Sequence, residues 1–130
     1  MIGLCLGLAG VMWAHVPVDD FTLAWTHTIE KVRWEEDYRV TVEGLLLGEA
    51  RVKGTGAGME IPDGAELYNG SWHYRRQLAP LQPLRLGRTP EAGDYEVCFD
   101  KACHSLSEWL GPPRASQPAV ELWSCIDSIE

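Results

Sequence analysis

From residue 21 the chain alternates apolar and polar positions. Phe21, Leu23, Trp25, His27 and Ile29 share one side of an extended segment, and Thr22, Ala24, Thr26 and Thr28 share the other. A period of two carried by aromatic and β-branched residues predicts a half-buried strand. A polar, charged link over 30–37 follows. A second strand is predicted from Tyr38, where Tyr38, Val40 and Val42 alternate with Arg39, Thr41 and Glu43. Leu45, Leu46 and Leu47 interrupt the alternation, which predicts a bulge or a strand buried on both faces. Gly48 and Glu49 read as a turn, with Ala50, Val52 and Gly54 returning antiparallel.

The later chain repeats the theme in shorter units. Asn69-Gly70 supplies the positive φ values of a type I′ turn, so Leu67 and Tyr68 before it and Trp72 and Tyr74 after it form a hairpin. Pro80 and Pro83 confine 78–86 to an edge or an irregular run that ends in a short strand at Leu84 and Leu86. A turn over 88–93, a strand over 95–98, a turn at Asp100-Lys101 and a return from Cys103 follow. Leu106, Trp109 and Leu110 stand at helical spacings, which predicts a turn or two over 105–110, capped by Ser105 with Glu108 three residues on. In a last strand over 119–126, Val120, Leu122 and Ser124 alternate with Glu121, Trp123 and Cys125. Turn signals every ~8 to 12 residues predict an all-β fold: a compact antiparallel β-sandwich or barrel of about seven to nine strands.

Residues 1–14 are apolar and uncharged. The run is short of the ~20 residues of a spanning helix. It is similar to the apolar part of a signal peptide without the basic start. A downstream start codon, a short anchor, and a first strand or buried helix are its three competing uses. Export or anchoring is favoured, which divides the chain into an apolar segment and connection over 1–20 and a single β-rich domain over 21–130.

At 130 residues and 45% hydrophobic, the chain is one domain with enough apolar surface for a core. Six tryptophans fit core and sheet cover more readily than a ligand cage. The net charge of −8 argues against nucleic acid and against anionic lipid as partners.

Candidate chemistry is sparse. Gly54, Gly56 and Gly58 with Met59 form a glycine loop, but no Gly-Lys-Ser/Thr follows and Glu60-Ile61-Pro62 replaces the helix a phosphate loop needs. Tight-loop geometry is the plain reading, with backbone amides offered to a small anion as the sharper one. His27, Glu30, Glu35, Glu36 and Glu60 are candidates to converge near this loop on a cation, a polar ligand or a partner. Paired acids for acid–base work would need a cleft that the sequence does not show. Four cysteines stand at 5, 98, 103 and 125. A Cys98–Cys103 disulfide is the first choice, leaving Cys125 free or in exchange with one of that pair. Zinc held by Cys98, Cys103, His104 and Cys125 is the competing reading. No catalytic constellation, resident metal or cofactor is called for.

Three segments together carry a resemblance: 23–30 (LAWTHTIE), 34–38 (WEEDY) and 54–62 (GTGAGMEIP). They are joined by 95–98 (YEVC) and 102–106 (ACHSL). The chain resembles the bacterial family DUF1850, with Thr28 where that family more often shows serine. The resemblance implies a small exported protein, in the periplasm or anchored to the inner membrane facing it. It implies an accessory role beside TAXI-type TRAP transporters, touching the membrane subunit or its solute-binding protein. A non-enzymatic accessory protein is therefore expected. The alternative is a small-ligand or cation-binding β-domain using the acidic cluster and the glycine loop.

Overall fold

In a computed structural model of the chain, which describes residues 2–26, 32–53 and 64–126, eleven strands and one helical turn build a two-layer antiparallel sandwich. The strands are β1 (Ile2–Leu8), β2 (Val11–Val16), β3 (Asp20–Thr26), β4 (Arg33–Thr41), β5 (Gly44–Lys53), β6 (Glu66–Tyr68), β7 (Ser71–Arg75), β8 (Leu84–Gly87), β9 (Glu96–Phe99), β10 (Ala102–Ser105) and β11 (Ala119–Ile126); α1 is Ser107–Leu110. One sheet has the order β2-β1-β11-β8 and the other β10-β9-β3-β4-β5-β7-β6. The core lies between them. Leu4, Leu6, Val16, Leu86, Val120 and Leu122 come from the four-stranded sheet. Phe21, Leu23, Tyr38, Val40, Leu45, Leu47 and Val97 come from the seven-stranded sheet, and Leu106 plugs the end.

Of the three uses of the apolar start, the structure builds a strand. Residues 2–16 lie within the sandwich, so residue 20 does not divide this fold. β1 pairs with β11 from Ile2↔Ile126 to Gly7↔Glu121 and with β2 on its other side. Leu4 and Leu6 face the core, and the outward Cys5 is also buried at 3% exposure. A strand buried on both faces reads as a continuous apolar run, the same pattern a leader segment shows.

The link expected over 30–37 is in part strand. β4 starts at Arg33 because Trp34, Glu36, Tyr38 and Val40 alternate inward while Arg33, Glu35 and Asp37 turn outward to ion-pair partners. The expected turn at Gly48-Glu49 is instead a β-bulge inside one long strand. Tyr38 pairs with Leu47 and Glu36 with Ala50, so Gly48 and Glu49 together face Asp37. The extra residue keeps Leu47 and Ala50 both inward. Leu45–Leu47 alternates after all, since Leu46 is 38% exposed between two buried neighbours. The real turn lies at 42–43, ahead of Gly44, whose φ of 138° and close approach to the Leu81 carbonyl exclude a side chain.

Other expectations hold. Asn69 (φ 52°) and Gly70 (φ 76°) make the expected turn between β6 and β7, and Asp100 and Lys101 make the turn between β9 and β10. The helical turn is shorter than 105–110. Its cap position is Leu106, although the Ser105 hydroxyl still accepts the Ser107 N–H at 3.2 Å. A buried ion pair joins the layers: Arg88, just after β8, donates to Asp94, just before β9, at 3.1 and 2.9 Å. Ser105 and Ser107 also donate to Asp94, at 3.1 and 2.6 Å.

Candidate functional site

The adjacent acids Glu35 and Glu36 lie on opposite faces of β4, because successive strand residues point to opposite sides. On the outer face the acids are consumed by arginines. Arg51 of β5 grips Asp37 with two bonds of 2.8 and 2.9 Å and also reaches Glu35 at 3.0 Å and Glu49 at 3.1 Å. Arg33 bridges Glu35 and Glu96, both at 2.9 Å. These two acids flank Ala24, which is fully buried on this otherwise polar face. Thr22 donates to Asp37 at 2.7 Å. The His73 ring bonds Glu49 at 2.9 Å and stacks on Tyr68.

Burial works to raise the pKa values of Glu35 and Asp37, but the arginine bonds outweigh it and hold both below the ordinary carboxylate range. Glu49 is held low first by the His73 bond and then, against burial, by Arg51. Arg51 is raised, chiefly by Asp37. This face is a self-neutralised ladder that braces β9, β3, β4, β5 and β7. Shallow clefts of about 540 and 650 Å³ lie on either side of Asp37, whose carboxylate is already committed.

The inner face differs. Beyond the core, cross-strand register lines up Trp25, Trp34, Val52 and Trp72 in one row and Leu23, Glu36, Ala50 and Tyr74 in the next. Trp25 and Trp34 are parallel, with ring centres 6.2 Å apart, and Tyr95 tilts onto Trp25 at 5.6 Å. Among the described residues the partner of Glu36 is the Tyr38 hydroxyl, which donates at 2.8 Å, and no cationic side chain pairs with it. Burial, then the Glu36 charge and bond, push the Tyr38 hydroxyl pKa far up. Tyr95 is raised by burial and then by Glu36; Tyr74 is raised by burial and Glu36 against the pull of Arg76. Two indole N–H groups here, of Trp34 and Trp72, are buried without a hydrogen-bond partner among the described residues. A half-buried carboxylate among aromatic rings can hold an organic cation by charge and by ring faces. The two indole donors can serve an acceptor on the same molecule.

Of the candidate residues, Glu35 and Glu36 are separated by the sheet. His27, Glu30, Gly54, Gly56, Gly58, Met59 and Glu60 lie outside the described residues. Cys98 and Cys103 are directly opposite in the β9–β10 hairpin and form the expected disulfide. The zinc reading is corrected, because Cys125 is bonded to Cys5 in the other sheet. That second disulfide escaped the sequence because Cys5 stood in a run assigned to export. The unpaired Cys125 and the even number of cysteines were the signal for it. Trp34, Trp72 and Tyr95 were also missed. The signal for the two tryptophans was their polar flanks, in Arg33-Trp34-Glu35 and Ser71-Trp72-His73.

No curated protein and no solved structure matches this chain. The profile of the family described as "Domain of unknown function (DUF1850)" matches residues 21–106, from the start of β3 through the plug residue Leu106, and so takes in both faces of the seven-stranded sheet. The chain belongs to the DUF1850 family.

Proposed function

We propose that this domain is a non-enzymatic binding module that holds a small organic cation, an amine or quaternary ammonium, against Glu36 on the aromatic inner face of the seven-stranded sheet. The observation that carries the reading is the contrast within β4. Glu35 is neutralised by two arginines, whereas Glu36 faces Trp34, Tyr38, Tyr74 and Tyr95 with no cationic partner among the described residues. The separation of Glu35 from Glu36 also argues against their acting as an acid–base pair on one substrate.

The two disulfides support an oxidising compartment, the periplasm or the periplasmic side of the inner membrane. Among the described residues no helix is long and apolar enough to cross a membrane. An accessory part in TRAP-type solute uptake rests on the family resemblance alone, and a solute-binding domain suits it.

The test is thermal unfolding of the exported protein with a panel of primary amines, quaternary ammonium compounds and their uncharged isosteres. A ligand at ~100 times its Kd should stabilise by about 2.7 kcal/mol, a rise of several degrees. The rise should vanish in Glu36→Gln, a variant whose amide oxygen can still accept the Tyr38 hydroxyl bond and so keep the fold. A response that survives Glu36→Gln, or is matched by the uncharged isosteres, sinks the proposal.

A further inference from the structure

The outer face of the four-stranded sheet carries a cluster that the binding site does not use. Cys5 turns away from the core and is bonded to Cys125 of β11, and His15 of β2 stands opposite Cys5 in register. The ligand atoms of Cys5, His15 and Cys125 all lie within 4.8 Å of one another. The Met12 sulfur is 3.5 Å from the Cys5 sulfur. His15 Nε2 is buried and makes no hydrogen bond among the described residues. A buried ring nitrogen without a partner is costly, and this ring brings a nitrogen within 4.8 Å of both sulfurs. Gly3 makes the arrangement sterically feasible, since a Cβ there would stand 2.6 Å from His15 Nε2.

We propose that Cys5, Cys125, His15 and Met12 form a copper(I) site that the disulfide closes and reduction opens. Two thiolates, an imidazole and a thioether are a soft ligand set, and the thioether favours Cu(I) over zinc. In the oxidised chain each sulfur is committed to the S–S bond. A dithiol reductant opens it by exchange. The dithiol gives up two electrons and two protons and becomes a cyclic disulfide, and Cys5 and Cys125 become two thiols. Capture of Cu(I) then releases those two protons, leaving two thiolates and the neutral His15 ring on the ion. Met12, 56% exposed, stands at the solvent side and gives the ion its entry. The coordinate link replaces the covalent one between β1 and β11, so the sheet keeps its fastening in both redox states.

The experiment uses the full chain with Cys98→Ser and Cys103→Ser, reduced anaerobically, desalted and titrated with Cu(I) against a competing chelator. One Cu(I) per reduced chain is expected, and none for the disulfide form. Cys5→Ser should abolish binding. His15→Ala should weaken it by about tenfold or more, the cost of losing even an outer-sphere partner. In the unsubstituted chain, bound Cu(I) should protect Cys5 and Cys125 from alkylation and leave Cys98 and Cys103 reactive. This second measurement decides the matter if a variant fails to fold. Parent-like binding in His15→Ala overturns the proposal. So does protection of Cys98 and Cys103 instead, or a preference for Zn²⁺.

Discussion

The two sheets are fastened by opposite means. The four-stranded sheet brings together strands from far apart in the sequence, β1 and β11, and its disulfide spans 120 residues. The seven-stranded sheet is mostly hairpins between near neighbours, with one long-range joint where β3 pairs with β9. Its disulfide spans five residues, and its outer face is braced by the Arg33 and Arg51 ladder. The difference follows from chain entropy. A hairpin closes a short loop at little cost, whereas the β1–β11 pairing closes nearly the whole chain. The contact that is dearest in entropy carries the cross-link that most restricts the unfolded chain.

Removing each cross-link breaks the comparison most directly. Replacing Cys5 and Cys125 by serine should cost about 5 kcal/mol, against about 2 kcal/mol for Cys98 and Cys103, by loop-closure entropy. Urea denaturation without reductant reads both, and equal losses would refute the entropic account. The joint between the sheets comes next. Arg88→Ala leaves the Asp94 carboxylate buried and unpaired, and about 3 kcal/mol should be lost in the same assay. Arg88→Lys should recover part of it, keeping the charge but not the two-pronged grip.

The smallest effect belongs to the outer face. Arg51→Ala should cost about 1 kcal/mol at neutral pH, because the ladder is partly exposed. Its pH dependence has a fixed sign. Glu35, Asp37 and Glu49 have lower pKa values in the folded chain than the ordinary values near ~4 of the unfolded chain. Their contribution is complete above that range and is lost as pH falls through the folded values. The gap between parent and Arg51→Ala should therefore narrow in acid. A gap that persists with all three acids protonated would show that Arg51 acts by packing alone.

Local chemistry made much of this legible in the sequence. Asn69-Gly70 and Asp100-Lys101 announced their turns, the alternation over 119–126 announced β11, and Cys98 and Cys103 announced their bond. What was missed depends on partners distant in sequence. Glu35 and Asp37 looked like a loop because Arg51, which pairs with both, is 14 or more residues away. β1 looked like a leader because burial on both faces erases alternation. Gly48-Glu49 looked like a turn because a bulge uses the same residue types. The candidate site was half visible. The acids were singled out, but which acid faces the tryptophans depended on β4 beginning at Arg33, and a single misplaced boundary hid it.

The Cys5–Cys125 bond has a consequence for the molecule as a covalent object. It turns the polypeptide into a ring of which every loop between β1 and β11 is an arc. A protease that cuts one arc, at the exposed Asn69-Gly70 tip for example, does not divide the molecule. Nicked and intact protein differ in mass by one water until reductant is added, and only then does the cut become two fragments.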